Sequence, residues 1–286
     1  MKFYVVDAFT NTIFNGNQAG VVILDQAADF PDRTVMQKVA GELKHSETVF
    51  IKKTANKTYE LRFFTPTEEV ELCGHATISC FTVLREEKLI GPGVFIANTL
   101  AGALEIIVDN ASVWIKMVRC YFVKNLEQAE YSQIYEAYGL DITDKPDFLQ
   151  PSIYKAGIAD ILLPVSSREK LNKVVQDKEK VIEISKKHSV VGVHMFCYNP
   201  NSETTAFCRN FAPLFGIDEE SATGTSNAAL TCYLHEKGLV ATNSINKFIQ
   251  GEKLGKLSLI SSKVDENRNI FIGGSAIISI IGEFRL

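Results

Sequence analysis

The sequence predicts an α+β fold built as two similar halves, each a set of β-strands around one buried helix. Three observations support this. A strand, turn and helix segment occurs twice, the helix in both copies is apolar nearly all round, and short β-branched or aromatic runs surround each copy. A length of 286 residues suits two domains at roughly 100–200 residues each.

Taken in order, residues 1–7, 19–24, 48–52, 60–64 and 103–108 are runs rich in Val, Ile, Phe and Tyr between polar or Gly-containing turns, and are expected as strands. Arg33–Leu43 carries Val35, Met36, Val39, Ala40 and Leu43 at helical spacing, with Asp32 as an expected cap and Pro31 before it. Arg62-Phe63-Phe64-Thr65-Pro66 returns as Arg209-Asn210-Phe211-Ala212-Pro213, an R-x-F-x-P pattern. Each copy leads through an acidic turn to a glycine that opens an apolar helix, Gly74–Glu86 and Gly224–Glu236. A helix without a polar face cannot lie on a surface, so each is expected as a core helix enclosed by its own half's strands. Asp109-Asn110 is expected as a hairpin turn, and the charged stretch 168–187 as a solvated helix face. These boundaries give a first domain at 1–118 and a second at 119–276, with the apolar strand 277–286 returning to the first.

Composition excludes several function classes. With 46% hydrophobic and 22% charged residues, the chain is expected to fold rather than stay disordered. A net charge of -4, from 30 basic and 34 acidic residues, has the wrong sign for a nucleic-acid footprint, so no nucleic-acid partner is expected. The N-terminus reaches Asp7 too soon for a signal peptide, and no apolar run approaches the ~20 residues of a membrane span. A cytoplasmic protein without a membrane partner is therefore expected. Cys73, Cys80, Cys120, Cys197, Cys208 and Cys232 form no C-x-x-C pair and are expected as reduced thiols, mostly in the core.

The N-terminus of a buried helix offers unpaired N–H groups and the positive end of a dipole, which bind a carboxylate. Two halves offer two such ends. If they face one another, a small acid held in the cleft could be approached from both sides, as a racemase, epimerase or proton-shifting isomerase requires. The groups near these ends are His75 beside Gly74, and Glu220 ahead of Gly224, with Cys73, Thr223 and Thr225 adjacent. His75 also reads as a capping or core residue, Glu220 as an ordinary carboxylate near a helix start, and Cys73 as a small buried hydrophobe. Glu47 stands between a helix end and a strand start, where a carboxylate can enter a cleft or remain a solvated loop residue.

Taken together, these strings resemble the PhzF-like isomerases of phenazine biosynthesis, within the diaminopimelate epimerase fold. They are Val6-Asp7-Ala8-Phe9-Thr10 with Gly16-Asn17, then the segment from Met36 through Ser46-Glu47-Thr48, Arg62 to Pro66, Gly74-His75-Ala76-Thr77, and Gly216 to Thr225. The resemblance implies two β-barrel-like domains, each around a central helix, commonly in a homodimer, with a site between them that uses neither a cofactor nor a metal. It implies acid–base catalysis by Glu47, with a carboxyl pKa raised by burial toward neutrality. It also implies substrate contacts from Asn17, Gln18, Gly74, His75, Glu220, Gly224 and Thr225, with Cys73 and Thr223 as further candidates. The better-known member isomerises trans-2,3-dihydro-3-hydroxyanthranilate.

Three departures bear on specificity. Glu220-Ser221-Ala222-Thr223-Gly224 replaces the family's Asp-Pro-Ala-Thr-Gly, making the carboxylate one methylene longer. Gln18 replaces a proline after Gly16-Asn17. Cys73 stands where diaminopimelate epimerase has its first cysteine base, but Thr223 stands at the second, which disfavours two-thiol racemisation. The expected function is therefore a cofactor-independent isomerase or epimerase acting on a small amino or hydroxy acid through Glu47. The alternatives are a non-catalytic small-acid-binding protein of the same fold, and a one-thiol racemase using Cys73.

Overall fold

The chain divides into two units, Met1–Lys116 with Gly273–Leu286 and Met117–Ile272, in the computed structural model, which describes residues 1–25, 28–200 and 202–285. Each unit is taken by itself below. The first opens with β1 (Lys2–Ala8), β2 (Asn17–Ile23), α1 (Arg33–Leu43), β3 (Glu47–Ala55), β4 (Thr58–Phe64) and β5 (Glu69–Val70). It continues with α2 (Gly74–Glu86), β6 (Gly93–Thr99), β7 (Gly102–Val108) and β8 (Val113–Lys116). The second holds β9 (Tyr121–Asn125), α3 (Tyr131–Glu136), β10 (Ser152–Ala156), β11 (Ile158–Pro164), α4 (Arg168–Lys173) and α5 (Lys178–His188). After them come β12 (Gly192–Tyr198), β13 (Ala206–Ala212), β14 (Ile217–Glu220), α6 (Gly224–Glu236), β15 (Asn246–Gln250) and β16 (Ser258–Val264), and β17 (Ile270–Gly274) begins in this unit and ends in the first. β18 (Ala276–Glu283) runs antiparallel to β1 in the first unit; Leu286, the end of the expected last strand, lies outside the described residues.

The two ladders share one pattern. In the first unit β1 and β2 are antiparallel, β2 and β3 parallel, β3 and β4 antiparallel, β4 and β6 parallel, and β6 and β7 antiparallel. In the second, β10 to β13, β15 and β16 repeat that sequence of directions. Parallel neighbours need a crossover of a dozen or more residues, and in these ladders the helices supply it. α1 joins β2 to β3 and α2 lies between β4 and β6, while α4 with α5 and then α6 stand at the matching places in the second unit.

Every residue of α2 from His75 to Leu84 is buried, as is every residue of α6 from Ser226 to Leu234, so neither helix has a solvent face. α2 packs on β1, β2, β3, β8 and β18, and α6 on β9, β10, β11 and β16. Two of their threonines bond back along the helix: the Thr77 hydroxyl donates to the Cys73 carbonyl at 2.7 Å, and Thr231 to the Asn227 carbonyl at 2.7 Å. No helix among the described residues is long and apolar enough to cross a membrane. The six cysteines are free thiols, Cys120 partly exposed and the rest buried.

The repeated arginines do the same work twice. On β4, Arg62 grips Glu69 of β5 with Nε and Nη2 at 2.7 and 2.8 Å; on β13, Arg209 grips Glu219 of β14 at 2.8 and 2.7 Å. A bidentate guanidinium–carboxylate pair fixes direction as well as distance. Each pair thus ties the short strand ahead of a core helix to the long strand before it, which sets where the helix begins.

Two sequence expectations change. Asp32 does occupy the cap position of α1, but its side chain makes no capping hydrogen bond. The stretch 168–187 is two helices rather than one face. Val174 ends the first, its carbonyl taken by Arg209 Nη1 at 3.0 Å, and the Asp177 carboxylate accepts from the Lys180 N–H to start the next. Leu171, Val181 and Ile184 face the core, so the stretch is only partly solvated.

The copies differ in depth. Arg209 and Glu219 are each 10% exposed, and Arg209 also serves the Leu171 and Val174 carbonyls; Arg62 is 23% exposed, and Glu69 keeps a second partner in Arg33 at 2.9 Å. Arg209→Met strands a buried carboxylate and two carbonyls and should cost about 3–5 kcal/mol. Arg62→Met should cost clearly less. Urea unfolding midpoints of the two variants check this, and equal losses would contradict it.

Candidate active site

α1 ends at Leu43, and Lys44 turns the chain in the left-handed region at φ 55°, so that three residues later Glu47 opens β3 opposite Ala19. Cys73 caps α2 in an extended conformation, which brings Gly74 and His75 into the first turn of a helix whose position the Arg62–Glu69 pair has set. These two local structures bring the Glu47 and His75 side chains together, with His75 Nε2 3.1 Å from Glu47 Oε2.

The imidazole is held on both edges. On the Nε2 side the Ser46 hydroxyl lies at 3.2 Å, and it also reaches the Gln18 carbonyl at 3.3 Å. On the Nδ1 side stand Cys73 Sγ at 3.3 Å and the Asn17 side-chain amide at 3.4 Å, an amide whose oxygen and nitrogen can exchange places to suit the ring. Glu47 Oε2 meets the ring as a close ion pair rather than an aligned hydrogen bond, and it has no hydrogen-bond partner among the described residues. In front of the helix the space is open, since a Cβ added at Gly74 would meet nothing within 4 Å.

Three titrations follow from this packing. Burial pushes the Glu47 carboxyl up, but the charge of His75 and the donor groups of His75, Ser46 and Cys73 beside it outweigh it and hold the group below its ordinary 4.5. Burial alone would discharge His75, yet Cys73 and the Glu47 carboxylate carry it well above 6.5. Burial, reinforced by the Glu47 charge, pushes the Cys73 thiol up to about 11. The packing thus biases Glu47 and His75 toward their charged forms and Cys73 toward the protonated thiol. The expected upward shift of Glu47 is overturned, because the sequence does not show that a histidine on another element closes onto it.

In the second unit the matching helix end is built differently. Thr223 caps α6 without a side-chain capping bond, and Gly224 and Thr225 follow in the first turn. Gln250, fully buried on β15, holds the turn: its Nε2 donates to the Glu220 carbonyl at 2.8 Å and the Thr223 hydroxyl at 3.1 Å, while its Oε1 accepts from the Thr223 N–H at 3.3 Å and Asn227 Nδ2 at 2.9 Å. β12 begins with Gly192, opposite Asp160, where β3 begins with Glu47. A Cβ at Gly192 would fall 2.0 Å from the Phe211 carbonyl oxygen, so no glutamate fits there.

The structure thus brings Asn17, Glu47, Cys73, Gly74 and His75 together, with Gln18 contributing a carbonyl. It places Glu220, Thr223, Gly224 and Thr225 around the second unit's own helix end. Ser46 and Gln250 were not among the sequence candidates. Ser46 directly precedes Glu47 and could have been suspected from that, whereas Gln250 is placed only by the register of β15. Glu47, Cys73 and His75 also offer donor atoms within 4.8 Å of one another, a spacing that could hold a metal ion.

The model of the phenazine biosynthesis-like protein family matches residues 6–282. An uncharacterized isomerase of Clostridium acetobutylicum is 30% identical over the whole chain and 98% of its own length. Among solved structures, a PhzF-family phenazine biosynthesis protein of Bacillus anthracis aligns with a TM-score of 0.88 at 23% identity, covering all of this chain and 99% of that one. A probable proline racemase of Agrobacterium radiobacter aligns at 0.63 with 12% identity, covering all of this chain and 93% of that one. These likenesses show the α+β epimerase-like fold.

The ion pair has a defined pH window. His75, with its folded pKa raised, contributes stability that is complete below 6.5 and is lost as pH rises through the folded value. Glu47, with its folded pKa lowered, contributes stability present above 4.5 and lost as pH falls through its folded value. The stability difference between wild type and His75→Gln should therefore be largest between those two values and shrink on both sides. A flat difference across pH 4 to 9 would contradict the pairing.

Proposed function

The chain belongs to the phenazine biosynthesis-like protein family, and from that premise we propose that it is an isomerase that moves a proton on a small amino or hydroxy acid, with Glu47 as its acid–base group and without a cofactor. The observation that carries this is the largely buried Glu47–His75 pair, Glu47 still 21% exposed, beside the open first turn of α2. A substrate carboxylate is attracted to that helix end and to the imidazolium, while Glu47, already ionised, is ready to accept a proton from carbon. The positive charge of His75 then offsets the negative charge that develops on the substrate.

The low resting pKa of Glu47 is consistent with this role. An anion bound to His75 and the helix end competes with Glu47 for the same positive charge, and like charges nearby raise a carboxyl pKa. The base strengthens when substrate is present, and the protonated acid can return its proton to a different carbon. A single base is favoured by Gly192, which bars an equivalent carboxylate from the second unit's matching strand. The one-thiol alternative is weakened by the Cys73 pKa of about 11, which leaves too little thiolate at neutral pH.

Proton NMR in D₂O, with trans-2,3-dihydro-3-hydroxyanthranilate and a panel of small amino and hydroxy acids, tests the reading. Glu47→Gln should lower isotope exchange or isomer formation by roughly 10²–10⁴-fold, the usual worth of a general acid–base group. Cys73→Ala should retain turnover. Gly74→Ala should keep full stability, because its methyl meets nothing in the protein, yet raise KM by crowding the substrate carboxylate. Activity near wild type in Glu47→Gln would remove the assignment.

A further inference from the structure

Glu47, Cys73 and His75 supply one oxygen, one sulfur and one nitrogen donor from two separate elements, all within 4.8 Å. We propose that these three side chains form a binding site for a soft divalent cation, Zn²⁺ being the metal they fit, and that an ion bound there shuts off proton transfer. The binding stands on the donor geometry alone, while the shut-off rests on the role proposed for Glu47.

The separations suit a tetrahedral ion. Bonds of about 2.3 Å to sulfur and about 2.0–2.2 Å to nitrogen and oxygen require donors to lie roughly 3.3–3.6 Å apart. Cys73 Sγ lies 3.3 Å from His75 Nδ1 and 3.8 Å from Nε2, and Nε2 lies 3.1 Å from Glu47 Oε2, so a rotation of the Cys73 side chain toward Nε2 completes the set. The sulfur-to-oxygen edge closes by rotation of the Glu47 side chain. Oε2 is a buried acceptor with no aligned hydrogen bond, so turning it onto a cation exchanges its ion pair with His75 for the charge of the metal. A thiolate among the donors favours Zn²⁺ over Mg²⁺ or Ca²⁺, which take oxygen.

Charge balances as well. Coordination releases the Cys73 thiol proton and the His75 imidazolium proton to solvent, leaving thiolate, carboxylate and neutral imidazole around a dication. The complex is neutral and does not oppose the positive end of α2. The space before Gly74 is open, giving water or a substrate carboxylate a route to a fourth position. Occupancy consumes both Glu47 and His75, so the ion and the proton-transfer step exclude one another.

Titration of the metal-free protein with Co²⁺, without substrate, tests the site independently of turnover. A thiolate-to-cobalt charge-transfer absorption should appear, saturate at one equivalent and be bleached by Zn²⁺. It should vanish in Cys73→Ser, whose fold is checked by metal-free thermal unfolding, and Glu47→Gln should bind at least tenfold more weakly. No such absorption in the wild-type protein, or an unchanged absorption in Cys73→Ser, would overturn the proposal.

Discussion

A helix without a polar face has to be enclosed on every side, and both units are organised around meeting that demand. Once strands cover the flanks of α2 and α6, only the ends remain approachable, and the N-terminal end carries unpaired N–H groups and a positive dipole. Burial of the helix and placement of an anion-binding point are therefore one structural decision. The Arg62–Glu69 and Arg209–Glu219 pairs complete it by fixing the strand from which each helix starts.

Much of this was legible in the sequence. The R-x-F-x-P repeat, the apolar helices and the opening glycines reflect local spacing and composition, and each appears where that spacing puts it. The ionisation of the site was not legible. Glu47 alone reads as a carboxylate that burial would neutralise, and its sign changes only because α2 delivers His75 from 28 residues further along the chain. Gln250 was missed for the same reason: its partners are set by the register of β15, which no single stretch of sequence records. The break between α4 and α5 likewise depends on a guanidinium that arrives from β13.

The repeat is also where the units part company. The ladders and the arginine pairs are preserved, while the chemistry differs: Cys73 and His75 match Thr223 and Thr225, and Glu47 matches Gly192. The second unit puts its buried acid, Asp160, on the neighbouring strand, where the Ser226 hydroxyl donates to it at 2.6 Å and burial raises it to about 6. A scaffold doubled for packing has kept titratable machinery at one helix end and a hydroxyl- and amide-lined end at the other.

β18 has a consequence for how the chain reaches this state. It lies on β1 across a sequence separation that spans the whole second unit, and the Met1 amine donates to the Phe284 carbonyl at 2.8 Å. The second unit is contiguous and can fold as soon as it is synthesised. The first is interrupted, and its barrel stays unsealed, with one flank of α2 bare, until everything between β8 and β18 has left the ribosome. Vectorial synthesis therefore makes the N-terminal half the later one to mature, and the interval before β18 arrives is when its apolar helix is most exposed to chaperones and to aggregation.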